Sequence, residues 1–337
     1  MQFRVLHISL FTALIGFALL ACISGKGEPK WELPAHFPAM NYPENNQSNQ
    51  DRVDLGRKLF YDPILSRNKD ISCASCHKQS LAFADTAAIT PGTEGRLGTR
   101  NAPTLANAGY NPTVLFDGFL ETLEKQILVP IQEHAEMDFN IVEVSKRMKA
   151  DPIYVAMSKK AYDREPDAFV ITRAISAFER TLISSHSKYD AFLQGKKKLT
   201  AAETRGKNLF FDRLHCSQCH GGFNFTDFSV RNNGLFPIYA DSGRMRVTNL
   251  ETDRDMVKVP TLRNISLTAP YMHDGRFKTL RDVLRHYESG GGDHPNKSAL
   301  IQPFTLTEAE ENDLISFLKT LTDKQFITDK RYSAPKK

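Results

Sequence analysis

Hydrophobic positions divide the chain into a short apolar run near the N-terminus and a longer part with helical periodicity. Val5 to Leu20 is almost wholly apolar, whereas between Asp167 and Leu182 apolar side chains recur at the spacing of an amphipathic helix. Thr200-x-x-Glu203 and Thr307-x-x-Glu310 are capping boxes, which start helices. No segment shows sustained strand alternation, and loops rich in Gly, Pro and Asn join the helices. The pattern predicts a mainly α protein.

The apolar run at the N-terminus predicts export. It follows Arg4 and is too short to span a membrane comfortably, as is typical of a signal peptide. It ends in Leu19-Leu20-Ala21-Cys22, which is typical of a bacterial lipoprotein processing site. Residues 1–22 are therefore predicted to be a signal peptide and Cys22 a lipid-bearing residue, with ordinary cleavage nearby as the alternative. Residues 23–50, rich in Pro, Asn, Gln and charge, predict a flexible tether.

Four of the five cysteines lie in two C-x-x-C-H units, Cys73-Ala74-Ser75-Cys76-His77 and Cys216-Ser217-Gln218-Cys219-His220. Two thiols three residues apart can bond both vinyl groups of one haem, and the following His is then held beneath the iron. A structural zinc site would leave both histidines unexplained. The motifs predict two covalently bound haem c groups, haem 1 at residues 73–77 and haem 2 at residues 216–220.

The surroundings of the two motifs repeat as well. The segment Gly56-Arg57-Lys58-Leu59-Phe60-Tyr61-Asp62 resembles Gly206-Lys207-Asn208-Leu209-Phe210-Phe211-Asp212. Further along, Pro103 matches Pro260 and Thr122 matches Thr279, at a constant offset of 157 residues. The repeat predicts two cytochrome c-like domains related by internal duplication, at residues 51–195 and 196–325, followed by a tail at 326–337.

The duplication also allows the free sides of the two haems to be compared. Thr279 caps a helix in which Leu280, Leu284 and Tyr287 share one face, so Tyr287 faces inward and can reach an iron. Its counterpart at the same offset is Pro130, which cannot ligate a metal. We therefore predict that Tyr287 closes haem 2, whereas haem 1 keeps the free position that peroxide needs. Other ligands stay open: Met272, His273 and His286 for haem 2, and His134 for haem 1.

Composition adds little to this prediction. The chain is 41% hydrophobic and 25% charged, with a formal net charge of +5, and its length suits two domains. Because no basic stripe with interleaved aromatic residues is present, nucleic acid is not an expected partner.

Three segments resemble the bacterial dihaem cytochrome c peroxidases and their MauG-type relatives: Arg100-Asn101-Ala102-Pro103-Thr104, Gln126-x3-Pro130-x5-Glu136-Met137, and Leu262 to Gly275. The resemblance covers about residues 51–325. It implies that the N-terminal haem reacts with peroxide and that the C-terminal haem receives electrons from outside. It implies Glu136 as the general base and then acid, and Gln126 as the residue that orients peroxide. It also implies a calcium ion held by the Asn101 side chain and the carbonyls of Thr268 and Pro270.

Three positions depart from the best-known members of that family. The loop after the first motif contains no His, so activation by release of a loop ligand is not expected. Tyr287 stands where those members have Met and where MauG has Tyr. Phe116 stands at the position of the tryptophan between the haems, and it is less readily oxidised, so hopping of an electron hole through this residue is not expected.

These observations predict an exported, periplasm-facing oxidoreductase: a dihaem peroxidase that reduces hydrogen peroxide to water. Its expected donor is a small cytochrome c or cupredoxin, and a homodimer is a further possibility. One alternative is a MauG-like enzyme that uses high-valent iron to oxidise aromatic residues of a partner protein. The other is a non-catalytic dihaem electron carrier.

Overall fold

The computed structural model describes residues 33–336, so the predicted signal peptide and Cys22 lie outside the described residues. No helix in this part is long and apolar enough to cross a membrane. The two short strands β1 (Val230–Arg231) and β2 (Val257–Lys258) pair antiparallel, with Val230 opposite Lys258. The α-helices of the described part are α1 (Gln50–Tyr61), α2 (Cys73–Cys76), α3 (Leu123–Gln126), α4 (Leu128–Gln132), α5 (Ile141–Lys149), α6 (Pro152–Tyr162), α7 (Ala168–Glu179), α8 (Lys188–Leu193), α9 (Ala201–Asn208), α10 (Met245–Thr248), α11 (Leu280–Glu288) and α12 (Glu308–Lys319).

The first domain is built on the crossing of α1 and α7. Gly56 lies where the two backbones meet, because a Cβ atom there would come within 1.8 Å of the Ala174 carbonyl oxygen. Around this crossing Leu59, Phe60 and Phe178 are fully buried in one apolar core. The absence of a side chain at Gly56 therefore permits the close helix packing on which the core is assembled.

The second domain repeats this crossing with α9 and α12. A Cβ atom on Gly206 would lie 2.0 Å from the Asp313 carbonyl oxygen, and Phe317 packs there as Phe178 does in the first domain. A turn of π-helix at Leu209–Arg213 continues α9. The mainly α fold with two cytochrome c-like halves is thereby confirmed. Because Gly56 meets Ala174 and Gly206 meets Asp313, Ala174 of α7 and Asp313 of α12 are equivalent positions.

The predicted helix starts are present in the structure. Thr200 Oγ1 accepts the Glu203 N–H at 3.2 Å while the Glu203 carboxylate accepts the Thr200 N–H at 2.7 Å, and Thr307 and Thr279 form similar boxes. The helix predicted over 167–182 is α7, which begins after Asp167 as its N-cap and ends at Glu179. These caps depend on neighbours within three residues, which explains why sequence alone predicts them.

The boundary between the domains differs from the prediction. Residues up to 195 were expected in the first domain, but α8 packs in the second core, where Tyr189 contacts the rings of Phe225 and Phe317. Asp190 of α8 also forms a buried pair with Arg263, at 2.8 Å. The physical domain boundary therefore lies before α8.

The flexible tether predicted at residues 23–50 is wrong for the part that the structure describes, residues 33–50. Phe37 is buried, its ring lies against those of Tyr110 and Phe223, and the Arg263 guanidinium lies 4.8 Å from its centre. Further along, Asn46 donates to Glu124 at 2.7 Å. This segment packs against both domains because it carries a few large apolar groups among its polar residues.

The predicted tail at residues 326–337 is also wrong as far as residue 336. Phe326 and Tyr332 are buried in the core of the first domain, close to Phe83. Tyr61 donates a hydrogen bond to the Tyr332 carbonyl at 2.6 Å, and Arg57 donates to the Ser333 carbonyl at 2.6 Å. The C-terminal segment therefore returns to complete the N-terminal domain.

Candidate active site

The first C-x-x-C-H motif forms a single helical turn. Ser72 caps α2, and the His77 N–H donates to the Cys73 carbonyl at 2.9 Å. The His77 ring lies with Nδ1 2.9 Å from the Phe83 carbonyl oxygen, which can only accept, so Nδ1 carries the proton. Burial lowers the pKa of His77. The ring is therefore neutral and presents the Nε2 lone pair, as a metal-binding imidazole requires.

The second motif has the same arrangement. His220 Nδ1 lies 3.1 Å from the Pro260 carbonyl oxygen and 3.3 Å from that of Phe225. Burial again lowers the pKa of the imidazole. Pro260 and Phe225 match Pro103 and Phe83 of the first half, so each half orients its histidine through equivalent carbonyl groups.

A cavity of about 480 Å³ lies beside the first motif and is called the N-terminal cavity below. Its wall includes both thiols and the ring of the motif, Cys73, Cys76 and His77, and much of its remaining surface is apolar. Its volume is in the range of about 300–1,000 Å³ typical of sites for cofactor-sized ligands. Two thiols, one neutral imidazole and an apolar wall fit a covalently bound haem.

The predicted acid–base residues line the same cavity. Gln126 is the last residue of α3, Pro130 lies in α4, and Glu136 follows in the next loop. The Glu136 backbone is fixed by the Thr93 N–H, which donates to its carbonyl at 2.7 Å. Burial raises the pKa of Glu136, and the neighbouring Glu133 raises it further. The structure thus brings Gln126 and Glu136 to one cavity with the first motif, and Pro130 offers no ligand there.

His134, the candidate for closing haem 1, lies on the surface. Its side chain is 72% exposed and its Nδ1 is 3.2 Å from Asp138. It is absent from the wall of the N-terminal cavity, although Glu133 and Ala135 belong to that wall. The orientation of the loop therefore directs this histidine away from the first motif.

Tyr287 and Met272 converge on one amide group near the second motif. Asn233 Nδ2 lies 3.4 Å from the Tyr287 hydroxyl and 3.5 Å from the Met272 sulfur. Tyr287 is also close enough to Cys216 and Cys219 to interact with them electrostatically, and burial raises the pKa of its phenol. The predicted Tyr287 is therefore near the second motif, and Met272 stays a candidate beside it.

The other two candidates for haem 2 point elsewhere. His286 Nε2 lies 3.1 Å from the Asn233 carbonyl oxygen, and its ring borders an open cleft with Arg276 and Arg285. His273 is buried, with its ring stacked on that of Tyr239 at 6.0 Å and 6.5 Å from that of Phe116. Phe116 also lines the N-terminal cavity. His273 therefore belongs to an aromatic contact beside that cavity.

The candidate calcium residues lie at a seam between segments 87–101 and 268–275. Asn101 is buried, and its Nδ2 donates to the carbonyls of Ala87 and Ala88 at 3.0 Å, so that Oδ1 is the atom left for a cation. The Asn101 N–H donates to the His273 carbonyl at 2.7 Å. No cluster of three or more His, Cys, Asp or Glu suited to a metal occurs in residues 33–336, so a cation here would depend on amide and carbonyl oxygens.

Comparison with known proteins shows the family to which the two motifs and the cavity belong. A family model described as di-haem cytochrome c peroxidase matches residues 50–198, and one described as cytochrome c matches residues 203–322. Methylamine utilization protein MauG of Methylorubrum extorquens is 34% identical over 285 residues, covering 83% of this chain and 80% of that protein. Cytochrome c551 peroxidase of Nitrosomonas europaea is 34% identical over 329 residues, covering 96% and 92%.

The chain belongs to the dihaem cytochrome c peroxidase and MauG family. Among solved structures, a MauG-like protein associated with microbial copper homeostasis is similar, with a TM-score of 0.86 and 36% identity over 90% of this chain and 99% of that one. The two cytochrome c-type domains imply haem c cofactors.

Three polar residues that the sequence did not single out lie on the wall of the N-terminal cavity or near the second motif. Glu179 and Lys258 line the N-terminal cavity, and Asn233 lies between Tyr287 and Met272. In the sequence Glu179 and Lys258 look like ordinary surface charges. The one available signal is the position of Glu179 at the end of an otherwise apolar helix face.

Proposed function

We propose that this protein is a c-type dihaem peroxidase that reduces hydrogen peroxide to water with electrons from an external donor protein. Haem 1 would be attached at Cys73 and Cys76, and His77 would bind its iron. Haem 2 would be attached at Cys216 and Cys219 with His220. The observation that carries the proposal is the wall of the N-terminal cavity, which Glu136 and Gln126 line together with the residues of the first motif and in which His77 is the only histidine among the described residues.

Glu136 and Gln126 would have distinct parts in the reaction. When bound, a haem held by His77 would supply the iron site and the electrons for peroxide reduction. Glu136 would take the proton from one peroxide oxygen and return it to the other, which leaves as water. Its raised pKa suits both steps, because a carboxyl group whose pKa lies nearer to neutral pH can both accept and release a proton. Gln126 would hold the peroxide by hydrogen bonding.

Haem 2 would serve for electron entry from the donor protein, and Tyr287 would be its second protein ligand, with Met272 as the competing candidate. We also propose a calcium ion at Asn101, Thr268 and Pro270, in the seam that joins the two halves. Because His134 points away from the cavity and residues 78–100 hold neither His nor Met, peroxide would bind without prior reduction of the protein.

A second candidate function is the MauG-like oxidation of aromatic residues on a partner protein. It is supported by Tyr287 in place of Met and by the similarity to proteins named MauG. A non-catalytic electron carrier is less well supported, because electron transfer needs neither Glu136 nor an accessible haem face.

Turnover measurements test the main proposal. The holoprotein should oxidise a reduced small cytochrome c or a cupredoxin at a rate that depends on peroxide, with two donor electrons consumed per peroxide. Candidate partner proteins should be incubated in parallel and their aromatic residues followed by mass spectrometry. Turnover without modification supports the peroxidase. Partner oxidation with negligible donor turnover supports the second function, and the absence of both leaves the carrier.

The proposed location is the periplasm, with a lipid anchor at Cys22. Detergent partitioning of the full chain and of Cys22→Ser tests the anchor. The wild type should enter the detergent phase and the variant should not, because several acyl chains bind membranes far more firmly than one. Equal partitioning would argue for ordinary cleavage.

A further inference from the structure

The last residue of α7 is a buried carboxyl group on the wall of the N-terminal cavity. Glu179 is 4% exposed and lies one helical turn after Ile175, which lines the same wall. Its Oε2 atom has no hydrogen-bond partner among the described residues. The carboxyl group is also close enough to the Cys73 sulfur to interact with it electrostatically. A polar group in this state is costly to keep in a core and needs an explanation.

The internal duplication shows that the fold does not need a carboxyl group here. The equivalent crossings at Gly56 and Gly206 align Phe178 with Phe317, so the counterpart of Glu179 is Leu318, which is buried in the second core. A leucine therefore satisfies the packing at this position. The carboxyl group is present only in the half that has the N-terminal cavity, which points to a chemical role.

The nearest charges do not keep Glu179 ionised. The neighbouring Arg180 donates two hydrogen bonds to Glu124 of α3, at 2.6 and 2.9 Å, so its charge is already compensated. The side chains that α1 and α5 bury in the surrounding core are uncharged. Burial raises the pKa of Glu179 to about 8, with Arg180 opposing the shift and Glu124 adding to it. The group is therefore largely an uncharged acid at neutral pH.

Other charged groups face the same cavity from different elements. Lys258 of β2 lines it without an ion pair among the described residues, and burial lowers its pKa to about 8. Glu136 lies on the cavity wall, while Arg100 and Arg246 both pair with Asp117. Any pH dependence at this site therefore has to be separated from that of Lys258 and Glu136.

We propose that Glu179 is a redox-linked proton carrier, which in alkaline solution takes up one proton from solvent when haem 1 gains one electron. The inference rests on the proposed attachment of haem 1 at Cys73 and Cys76. The electron comes from the donor protein, the proton comes from bulk water, and the only bond that forms is an O–H bond on Glu179. Electron gain makes the cavity more negative and favours the protonated carboxyl group. Peroxide reduction consumes protons as well as electrons, and Glu179 would supply a proton in the cavity that receives the electron.

The sign of the pH dependence follows from linkage. Below about pH 8 Glu179 is protonated in both redox states, so the potential of haem 1 does not change with pH. Above about pH 8 the oxidised state releases the proton and reduction must take it up again. The equilibrium constant for reduction should then fall by up to tenfold per pH unit. Lys258 would change the potential in the same direction, so potentials alone do not identify the group.

Infrared difference spectroscopy of the holoprotein identifies it. At about pH 9, reduction of haem 1 should produce the C=O band of a protonated carboxyl group, which shifts in deuterated water. The band should be absent in Glu179→Gln and Glu179→Leu and present in Lys258→Gln and Glu136→Gln. Above pH 8, Glu179→Gln should also weaken the pH dependence of the haem 1 potential and leave haem 2 unchanged.

Two results would overturn the inference: a wild-type spectrum without the carboxyl band, or a band that survives in Glu179→Gln. Visible spectra of every variant establish separately that haem 1 is attached and reduced, so failure of the proposed function is recognised as such. Thermal unfolding supplies the structural control. Because Leu318 fills the equivalent site, Glu179→Leu should unfold no earlier than the wild type, and marked destabilisation would instead assign Glu179 a structural role.

Discussion

Replacing Glu136 by Gln removes the proton acceptor of the N-terminal cavity while keeping the size of the side chain. General acid–base assistance typically contributes about 10²–10⁴-fold to a rate, which corresponds to about 3–5 kcal/mol of activation free energy. Glu136 is the one predicted acid–base group on the cavity wall, and Gln126 cannot transfer a proton in its place. We therefore expect the second-order rate constant for peroxide to fall by about 10²–10⁴-fold in Glu136→Gln.

Stopped-flow absorbance of the as-isolated protein measures this rate directly. Because the pKa of Glu136 is raised, its basic form is lost as the pH falls, and the wild-type rate should decline on the acid side at a higher pH than an ordinary glutamate would give. Glu133→Gln is the matched control: it removes the neighbouring negative charge, so the midpoint should move to lower pH while the plateau rate is kept. Gln126→Ala should cost less than Glu136→Gln. A near-normal rate in Glu136→Gln with both haems attached would refute this mechanism.

Three further predictions concern the haems and the fold. Intact mass should show two covalent haems per chain, and a mass increase of one haem would contradict the dihaem assignment. Electron paramagnetic resonance of the resting protein should show a high-spin haem 1 and a low-spin haem 2. The low-spin signal should change in Tyr287→Phe, whereas a change only in Met272→Leu would make Met272 the ligand. Gly206→Ala should lower the unfolding free energy by about 1–3 kcal/mol or more, because the new Cβ atom would collide with a backbone carbonyl. Gly98→Ala is the control and should cost little, because the space around Gly98 is open. Equal chemical-denaturation midpoints for the two variants would contradict the close packing of α9 and α12 at Gly206.

Features set by short stretches of chain are those that the sequence predicted well. The caps at Thr200 and Thr307 depend on residues three positions away, and the mainly α fold follows from helical periodicity. Tyr287 lies close enough to Cys216 and Cys219 to interact with them electrostatically, and its role as a ligand of haem 2 stays a prediction.

Features that depend on distant contacts were missed. Phe37 stands in a segment whose average composition resembles a linker, but its ring packs against Tyr110 of the first domain and Phe223 of the second. Glu179 and Lys258 were missed because charged residues are usually exposed, so the sequence gives no reason to place them on the wall of a cavity. Asn233 stands out only in the folded structure, where Tyr287 and Met272 from separate segments both contact its side-chain amide.

The return of the C-terminal segment to the first domain has a consequence for the order in which the protein matures. Phe326 and Tyr332 complete a core whose other members, such as Phe60 and Phe83, belong to the first half of the chain. Residues made late therefore close a domain made early, and that core cannot be finished until they have been synthesised. If attachment at Cys73 and Cys76 begins as the chain emerges, the enzyme that joins haem to this motif meets an unsealed domain. The C-terminal segment with Phe326 and Tyr332 would then pack into the first domain only after haem attachment has begun.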